Sequence, residues 1–390
     1  IRAGKEFTFE TFKEGIDYAH ARGKKVYATI NGFPFNSQIE LLKKHIATMA
    51  ALKPDGFIVA APGVVRLCRE IAPEIDIHLS TQANVLNYLD AQVFWDMGVK
   101  RIVVAREISL KDVIEIKKHL PDMEIEIFVH GSMCFAYSGR CLVSAVQMGR
   151  VPNRGSCAND CRFEYTLYAA NEDHSTLFRL EEEPGVGTYI FNSKDMNLAS
   201  HIKEILDSGA VDSLKIEGRT KSPYYAAVTA KAYRNAIDDY YDGKFEASKY
   251  QRELYTTKNR GFTDAYLIHR PFEKTDSQNH DYALSKGSYE VTGLVTQDEE
   301  HFLCKYKVYP NEDIEIFTPM GEELVECENE IGKIFKKDGI YYINFKKILT
   351  ETNKELESVH SGNVNKIKLP GILPYLTMFR IENVDGTIVE

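Results

Sequence analysis

Four of the chain's seven cysteines, Cys134, Cys141, Cys157 and Cys161, crowd into one short stretch with the spacing C-x6-C-x15-C-x3-C. Thiolates are soft ligands that suit zinc or iron–sulfur clusters in tetrahedral sulfur sites. The C-x3-C end fits two ligands offered by one turn of chain. The other gaps are not the two-residue spacings of zinc ribbons and fingers, so a 4Fe–4S cluster is the expected cofactor and zinc the alternative. Small residues surround the cysteines (Gly131, Ser132, Gly139, Gly155, Ser156, Ala158), which lets backbone wrap close to a cluster. Two disulfides, or four unlinked buried thiols, are the bland reading of the same pattern. A secreted disulfide scaffold would be shorter, with cysteines more evenly spread, so a reducing cytoplasm is expected. Cys68, Cys304 and Cys327 stand alone and read as buried apolar side chains.

A second set of residues lies where strands should end. In a barrel of alternating strands and helices, catalytic residues collect at the C-terminal ends of the strands. Those positions hold Asn31, then Ser80, Thr81 and Gln82 with Asn84, then Arg106 and Glu107, His130, and Lys215, Glu217 and Arg219. Period-two geometry points Lys215, Glu217 and Arg219 to one side. Charge on the interior side of a buried strand is expensive unless the charges meet each other or a ligand. So many polar strand ends together argue for a binding site, and Arg106, Lys215 and Arg219 favour an anionic small molecule clamped by arginine. The competing reading is an ion-pair network that braces the barrel. There is no H-E-x-x-H helix, no G-x-S-x-G elbow and no glycine-rich phosphate loop. His130 and Cys134, four residues apart beyond a strand end, do not make a designed Cys–His pair. No standard protease machinery is visible.

The elements that must position these groups follow from hydrophobic periodicity. Strand-like runs are expected over 25–31, 56–61, 75–80, 101–106, 124–130 and 213–217. Amphipathic helices are expected over 9–22, 38–52, 87–97, 110–119 and 198–208. Continuous apolar runs such as Ile-Val-Val-Ala read as strands buried on both faces, which means a parallel sheet. The expected fold is α/β: a (β/α)8 TIM-type barrel lacking its first two strands in this chain, with an open or six-stranded sheet as the alternative. The barrel domain would span 1–243, including a Cys-rich insertion over 131–195 that carries a small antiparallel hairpin. A tyrosine-rich helix is expected over 223–243, a linker packing on the barrel over 244–287, and a small all-β accessory domain over 288–390.

The 390 residues are 44% hydrophobic and 27% charged, as in a soluble protein of two or three domains. A formal net charge of −9 argues against bulk adhesion to nucleic acid or acidic lipid, while leaving room for a local basic groove. No apolar run is long enough to span a membrane. The chain opens at Ile1 rather than a methionine, and two strands and one helix are expected to precede it.

Several stretches resemble one family closely. They are Glu126-x-Phe-Val-His-Gly-Ser-Met-Cys134 followed by Tyr137-Ser-Gly-Arg-Cys-Leu-Val-Ser144; Leu79-Ser-Thr-Gln-Ala-Asn84; Arg101-Ile-Val-Val-Ala-Arg-Glu107; Tyr189-Ile-Phe-Asn-Ser-Lys-Asp195; and Lys215-Ile-Glu-Gly-Arg219 running on to Lys221-Ser-Pro-Tyr-Tyr225. Together they resemble the collagenase-like peptidases of unclassified family thirty-two, over roughly residues 1 to 270. The segments at 153–157 and 161–165 resemble most the members that form 5-hydroxyuridine at the wobble position of transfer RNA, with prephenate as oxygen source. The resemblance implies metal-binding roles for Cys134, Cys141, Cys157 and Cys161. Asn31, Gln82, Asn84, Glu107, Asn192 and Lys194 are the expected substrate-binding positions. Arg106, His130, Lys215, Glu217 and Arg219 are then the expected catalytic set, with tRNA and prephenate as partners. The alternatives are a metal-dependent collagenase acting on collagen or peptide, and an RNA-binding protein with a structural metal site. Either a homo-oligomer or a partner subunit would be compatible.

Overall fold

The computed structural model describes residues 7–134, 136–152, 157–163, 165–166, 168–170, 177–179, 193–218, 221–268, 277, 279 and 287–383. The chain divides into two compact units: Ile1–Glu217 with Arg260–Ala283, and Gly218–Asn259 with Leu284–Glu390.

The first unit alternates helix and strand. Its elements are α1 (Phe9–His20), β1 (Tyr27–Ile30), α2 (Ile39–Ala51), β2 (Gly56–Val59), α3 (Pro62–Ile71), β3 (Asp76–Leu79), α4 (Tyr88–Asp96), β4 (Arg101–Val103), α5 (Leu110–His119) and β5 (Glu124–Ser132). There follow α6 (Val143–Met148), the antiparallel hairpin of β6 (Tyr168–Ala170) and β7 (Leu177–Arg179), then β8 (Asp195–Asn197), α7 (Ile202–Asp207), β9 (Ser213–Ile216) and β10 (Phe262–Thr263). Strands β1 to β5 pair in sequence order, all parallel, and β9 joins β5 in parallel. Phe57, Val59, Ile77, Leu79, Ile102, Val103, Ile125 and Ile127 are buried, as strands covered on both faces require. Helix starts are set by side chains: Thr8, Asn87 and Ser109 accept hydrogen bonds from backbone N–H groups of the first turns of α1, α4 and α5.

The expected strands are all present, each within a few residues of its expected ends. Three features depart from expectation. Helix α3, over a stretch where the periodicity predicts no element, starts at Pro62, where the missing N–H costs nothing in a first turn. The end of the insertion returns as β8, which runs antiparallel to β5 and pairs His130 with Asn197 and Ser132 with Asp195. Residues 244–287, expected to be a linker, carry a helix and β10, and they are divided between the two units.

The second unit holds α8 (Pro223–Tyr241), α9 (Ala247–Tyr255) and an eight-stranded sheet whose paired neighbours are all antiparallel. Its core centres on Phe302, with ring centroids 5.4 Å from Phe345 and 5.1 Å from Phe379. Helix α8 groups here rather than with the parallel sheet, because Tyr224 and Val228 pack with Phe317 and Met378. The buried Arg380 guanidinium binds Glu315, Glu253 and the Tyr224 hydroxyl, tying α8, α9 and the sheet together. Among the described residues, no helix is long and apolar enough to cross a membrane.

Candidate active site and thiol centre

The strand-end residues meet through one loop. Ser80 follows β3, and its Oγ accepts from the Gln82 backbone N–H at 3.3 Å and from Asn31 Nδ2, beyond β1, at 3.4 Å. Asn84 closes that turn in the left-handed region (φ 57°). Its Nδ2 donates to the Ser138 carbonyl at 2.9 Å, and its Oδ1 accepts from Arg140 Nε at 3.1 Å. Arg106 Nη1 donates to Ser138 Oγ at 2.7 Å, while its guanidinium lies 3.8 Å over the Phe128 ring. The loop between Cys134 and Cys141 is therefore laid across the ends of β3 and β4. Gly139 permits this: it has φ 77°, and a Cβ there would stand 2.9 Å from Gln82 Cβ.

A group of ionic side chains adjoins the Phe128 ring that Arg106 covers. Lys215 Nζ lies 2.9 Å from Glu126 Oε1 and 5.5 Å from the Phe128 ring. Glu126 also accepts from Ser213 Oγ at 3.0 Å and from Arg101 Nη1 at 3.2 Å. Burial pushes the Glu126 carboxyl up, but Lys215, Ser213 and Arg101 outweigh it and hold the group below its ordinary value. Lys215 is thus engaged by a carboxylate outside the expected set of site residues.

His130 is buried, its ring 5.4 Å from Phe262, and its carbonyl accepts from the Glu217 N–H at 2.9 Å. Glu217 Oε2 in turn accepts from the Ser132 N–H at 3.4 Å. Gly131 lies between them at φ 121°, where a Cβ would come within 2.6 Å of the Glu217 carbonyl oxygen. Burial raises the Glu107 carboxyl above its ordinary value, Arg106 opposing, and among the described residues Glu107 Oε2 has no hydrogen-bond partner. Tyr266 stands within electrostatic reach of Glu107 and Tyr137, its hydroxyl raised first by burial. The Lys194 backbone N–H donates to the Ser277 carbonyl at 2.9 Å. Asn192 and Arg219 lie outside the described residues.

No disulfide links any of the seven cysteines. Cys161 is half-buried. Burial raises its thiol above the ordinary value, Cys134 and Cys157 add to that rise, and Arg162 and Arg260 oppose it. These groups therefore surround Cys161 within Coulombic reach. Cys141 follows the Gly139 turn. Among the described residues, no three His, Cys, Asp or Glu side chains stand together as a finished metal cage. The sulfurs are soft donors of the kind a zinc or iron–sulfur centre uses, but the Cys161 thiol is held above its ordinary value, Arg162 and Arg260 offsetting only part of the rise, so the thiolate that ligates is disfavoured there.

Residues 1–277 match Peptidase family U32. The chain belongs to this family. It is 62% identical over 381 residues to tRNA hydroxylation protein P of Helicobacter pylori (strain ATCC 700392 / 26695), covering 98% of this chain and 90% of that protein. It is 37% identical to tRNA hydroxylation protein P of Escherichia coli (strain K12), over 84% of this chain and 82% of that one. It is also 27% identical to the Collagenase of Porphyromonas gingivalis (strain ATCC BAA-308 / W83), over 87% and 77%.

In this U32 chain, sequence reasoning finds the strand ends and the thiols but not what holds them. Ser138 is visible in the sequence only as part of a loop motif. Arg162 sits beside Cys161 and is open to suspicion on adjacency alone. Arg260 lies far along the chain with no local motif, and only the pairing of β10 with β8 brings it in.

Proposed function

We propose that this U32 chain is a tRNA-modifying enzyme, or an essential subunit of one, that acts in prephenate-dependent hydroxylation of the wobble uridine. The observation that carries this reading is the 62% identity, across 98% of the chain, to a protein named for tRNA hydroxylation. In this reading the parallel strands are part of a (β/α)8 barrel, the protein works in the cytoplasm, and Cys134, Cys141, Cys157 and Cys161 hold a 4Fe–4S cluster. Such a cluster, when bound, supplies one-electron chemistry or an iron Lewis acid. The chain's own residues do the rest. Arg106 meets a prephenate carboxylate with the N–H groups that Ser138 leaves over, and Phe128 beneath it keeps water from that face. Arg219 is the expected second cation. Lys215 adds positive potential from below, reduced by Glu126. Glu107, held toward its protonated form by burial, is placed to carry a proton.

The test is nucleoside analysis of transfer RNA from a deletion strain, with and without the gene restored. Loss of 5-hydroxyuridine on deletion and its return on complementation are expected. Unchanged nucleoside levels would sink the reading. The likeness to a named Collagenase supports a second reading as a peptidase. Its signature would be gelatin cleavage by pure protein, abolished by Arg106→Ala, in a strain whose tRNA is unaltered.

A further inference from the structure

The second unit holds a cleft lined by none of the strand-end or cysteine residues. It measures about 330 Å³ and lies between α8, α9 and the antiparallel sheet, with the loop 318–323 and the hairpin turn 336–341 as further walls. Sites for small molecules begin at about 300 Å³, so the cleft has room for a compact ligand. Phe317, Ile340 and Tyr341 give it apolar surface. Lys231 and Asn235 line it from α8, one helical turn apart.

Most of the charge around this cleft is already paired. Lys249 Nζ binds Asp239 at 2.6 Å, and Lys336 Nζ binds Glu323 at 3.1 Å. The Arg380 guanidinium binds both Glu315 and Glu253. Two lining groups remain, and they carry opposite charge. Lys231 Nζ donates to the Thr318 carbonyl at 2.6 Å and lies 4.8 Å over the Phe317 ring, but among the described residues no carboxylate pairs with it. An ammonium has three N–H groups, so two are left to donate. Glu322 Oε2 is buried and, among the described residues, has no hydrogen-bond partner. Burial pushes the Lys231 ammonium below its ordinary value, with Glu253 and Glu322 opposing, so Glu322 acts on Lys231 without closing an ion pair.

We propose that this cleft binds a small zwitterion, an apolar α-amino acid, with its carboxylate on Lys231, its ammonium on Glu322 and its side chain against Phe317 and Tyr341. A lone anion would satisfy Lys231 but face the Glu322 carboxylate, and a lone cation would meet the reverse. Such like-charge juxtaposition rejects ligands that carry a single charge. A zwitterion answers both groups at once. It also adds no net charge to a lining that already holds four cations (Lys231, Lys249, Lys336 and Arg380) and four carboxylates (Glu253, Glu315, Glu322 and Glu323). Bound in this way, the ligand joins α8 to the loop 318–323.

The experiment is isothermal titration calorimetry of the full chain with L-phenylalanine, beside 3-phenylpropionate and phenethylamine, which keep the ring and one charge each. L-Phenylalanine should bind, and both analogues should bind at least tenfold more weakly, since each lacks one charge-assisted contact. Lys231→Met should weaken L-phenylalanine at least tenfold and erase its advantage over phenethylamine. Glu322→Gln should weaken it similarly and erase its advantage over 3-phenylpropionate. Thermal unfolding of each variant without ligand shows whether it folds, and the analogue comparison on the wild type decides the matter if one does not. No binding of L-phenylalanine at millimolar concentration would overturn the proposal. So would 3-phenylpropionate binding as tightly as L-phenylalanine, which would leave an anion site only, or undiminished binding by a folded Lys231→Met protein.

Discussion

Lys215 and Glu126 form an ion pair across the parallel strands β9 and β5, Nζ to Oε1 at 2.9 Å, and the Lys215 ammonium shares the Phe128 ring with Arg106. Their positions follow from register. Glu126 pairs with Ser213 and Phe128 with Lys215, so the ammonium reaches back past one aromatic ring to the carboxylate. Removing one partner of a fully buried pair costs roughly 3–5 kcal/mol. Arg101 and Ser213 still serve Glu126 when Lys215 is gone, so Lys215→Met should lose less, about 2–3 kcal/mol in urea unfolding. Adding Glu126→Leu should recover most of the loss. A Lys215→Met protein as stable as the wild type would mean that the pair does not brace the sheet.

Arg106 differs from Lys215 in what it contacts. Its hydrogen-bond and ring partners among the described residues are a serine hydroxyl and an aromatic face, and the carboxyl within its Coulombic reach, Glu107, is held toward its neutral form by burial. Its charge is thus left for a ligand. Arg106→Ala should therefore abolish 5-hydroxyuridine formation in cells while leaving the unfolding midpoint nearly unchanged. Ser138→Ala should give a partial loss, because one neutral hydrogen bond contributes only about 0.5–1.5 kcal/mol. Wild-type nucleoside levels in Arg106→Ala would move the anion site elsewhere.

The strand ends are readable because buried parallel strands are apolar runs, and the first polar residue after each run marks the C-terminal edge of the parallel sheet. Ser80, Arg106 and His130 stand out in that way. Helix α3 escapes a reading of the sequence because Ala61-Pro62-Gly63 looks like a turn, whereas proline suits a first helical turn. Helix α9 escapes it because Ala247–Tyr255 is polar and aromatic, and Tyr250 and Leu254 show their role only once they are buried. The partner of Lys215 is out of reach for a different reason. Which of several carboxylates an inward lysine meets depends on strand register, and register is not written in either strand alone.

Two glycines test how tightly the cysteine loop is seated. Gly131 and Gly139 both have positive φ, and both face atoms a methyl group would strike. At Gly131 the nearest is the Glu217 backbone carbonyl at 2.6 Å, which cannot swing aside. At Gly139 it is the Gln82 side chain at 2.9 Å, which can yield in part. Gly149 has φ 65° with open space around it, so Gly149→Ala reports backbone strain alone, about 1 kcal/mol. The expected order of thermal destabilisation is Gly131→Ala, then Gly139→Ala, then Gly149→Ala. Iron loading should fall in the first two only. Equal effects at all three would mean that the loop is not fitted against the strand ends.

His78 gives a pH test of the same interior. It is 3% exposed on β3, its ring 4.5 Å from Tyr27. Burial, with Arg101 next, pushes its imidazole down from 6.5 to about 4, against Glu126, Glu124 and Asp76. Between those two values the unfolded chain binds a proton that the folded chain refuses, so stability must rise with pH across the window. The contribution is complete above pH 6.5, fades as pH falls and stops changing below about 4. A tenfold loss of proton affinity corresponds to about 1.4 kcal/mol, so the full effect is on the order of 3 kcal/mol. Glu126 works at lower pH, since its loss begins only near its ordinary value of 4.5. Chemical unfolding of wild type and His78→Phe between pH 4.5 and 6.5 isolates the histidine, because the other titrating groups are common to both. The phenyl ring keeps the contact with Tyr27 and cannot take a proton, so the variant's stability should vary less with pH. Parallel curves for the two proteins across that range would show that the buried imidazole is not what makes this sheet acid-sensitive.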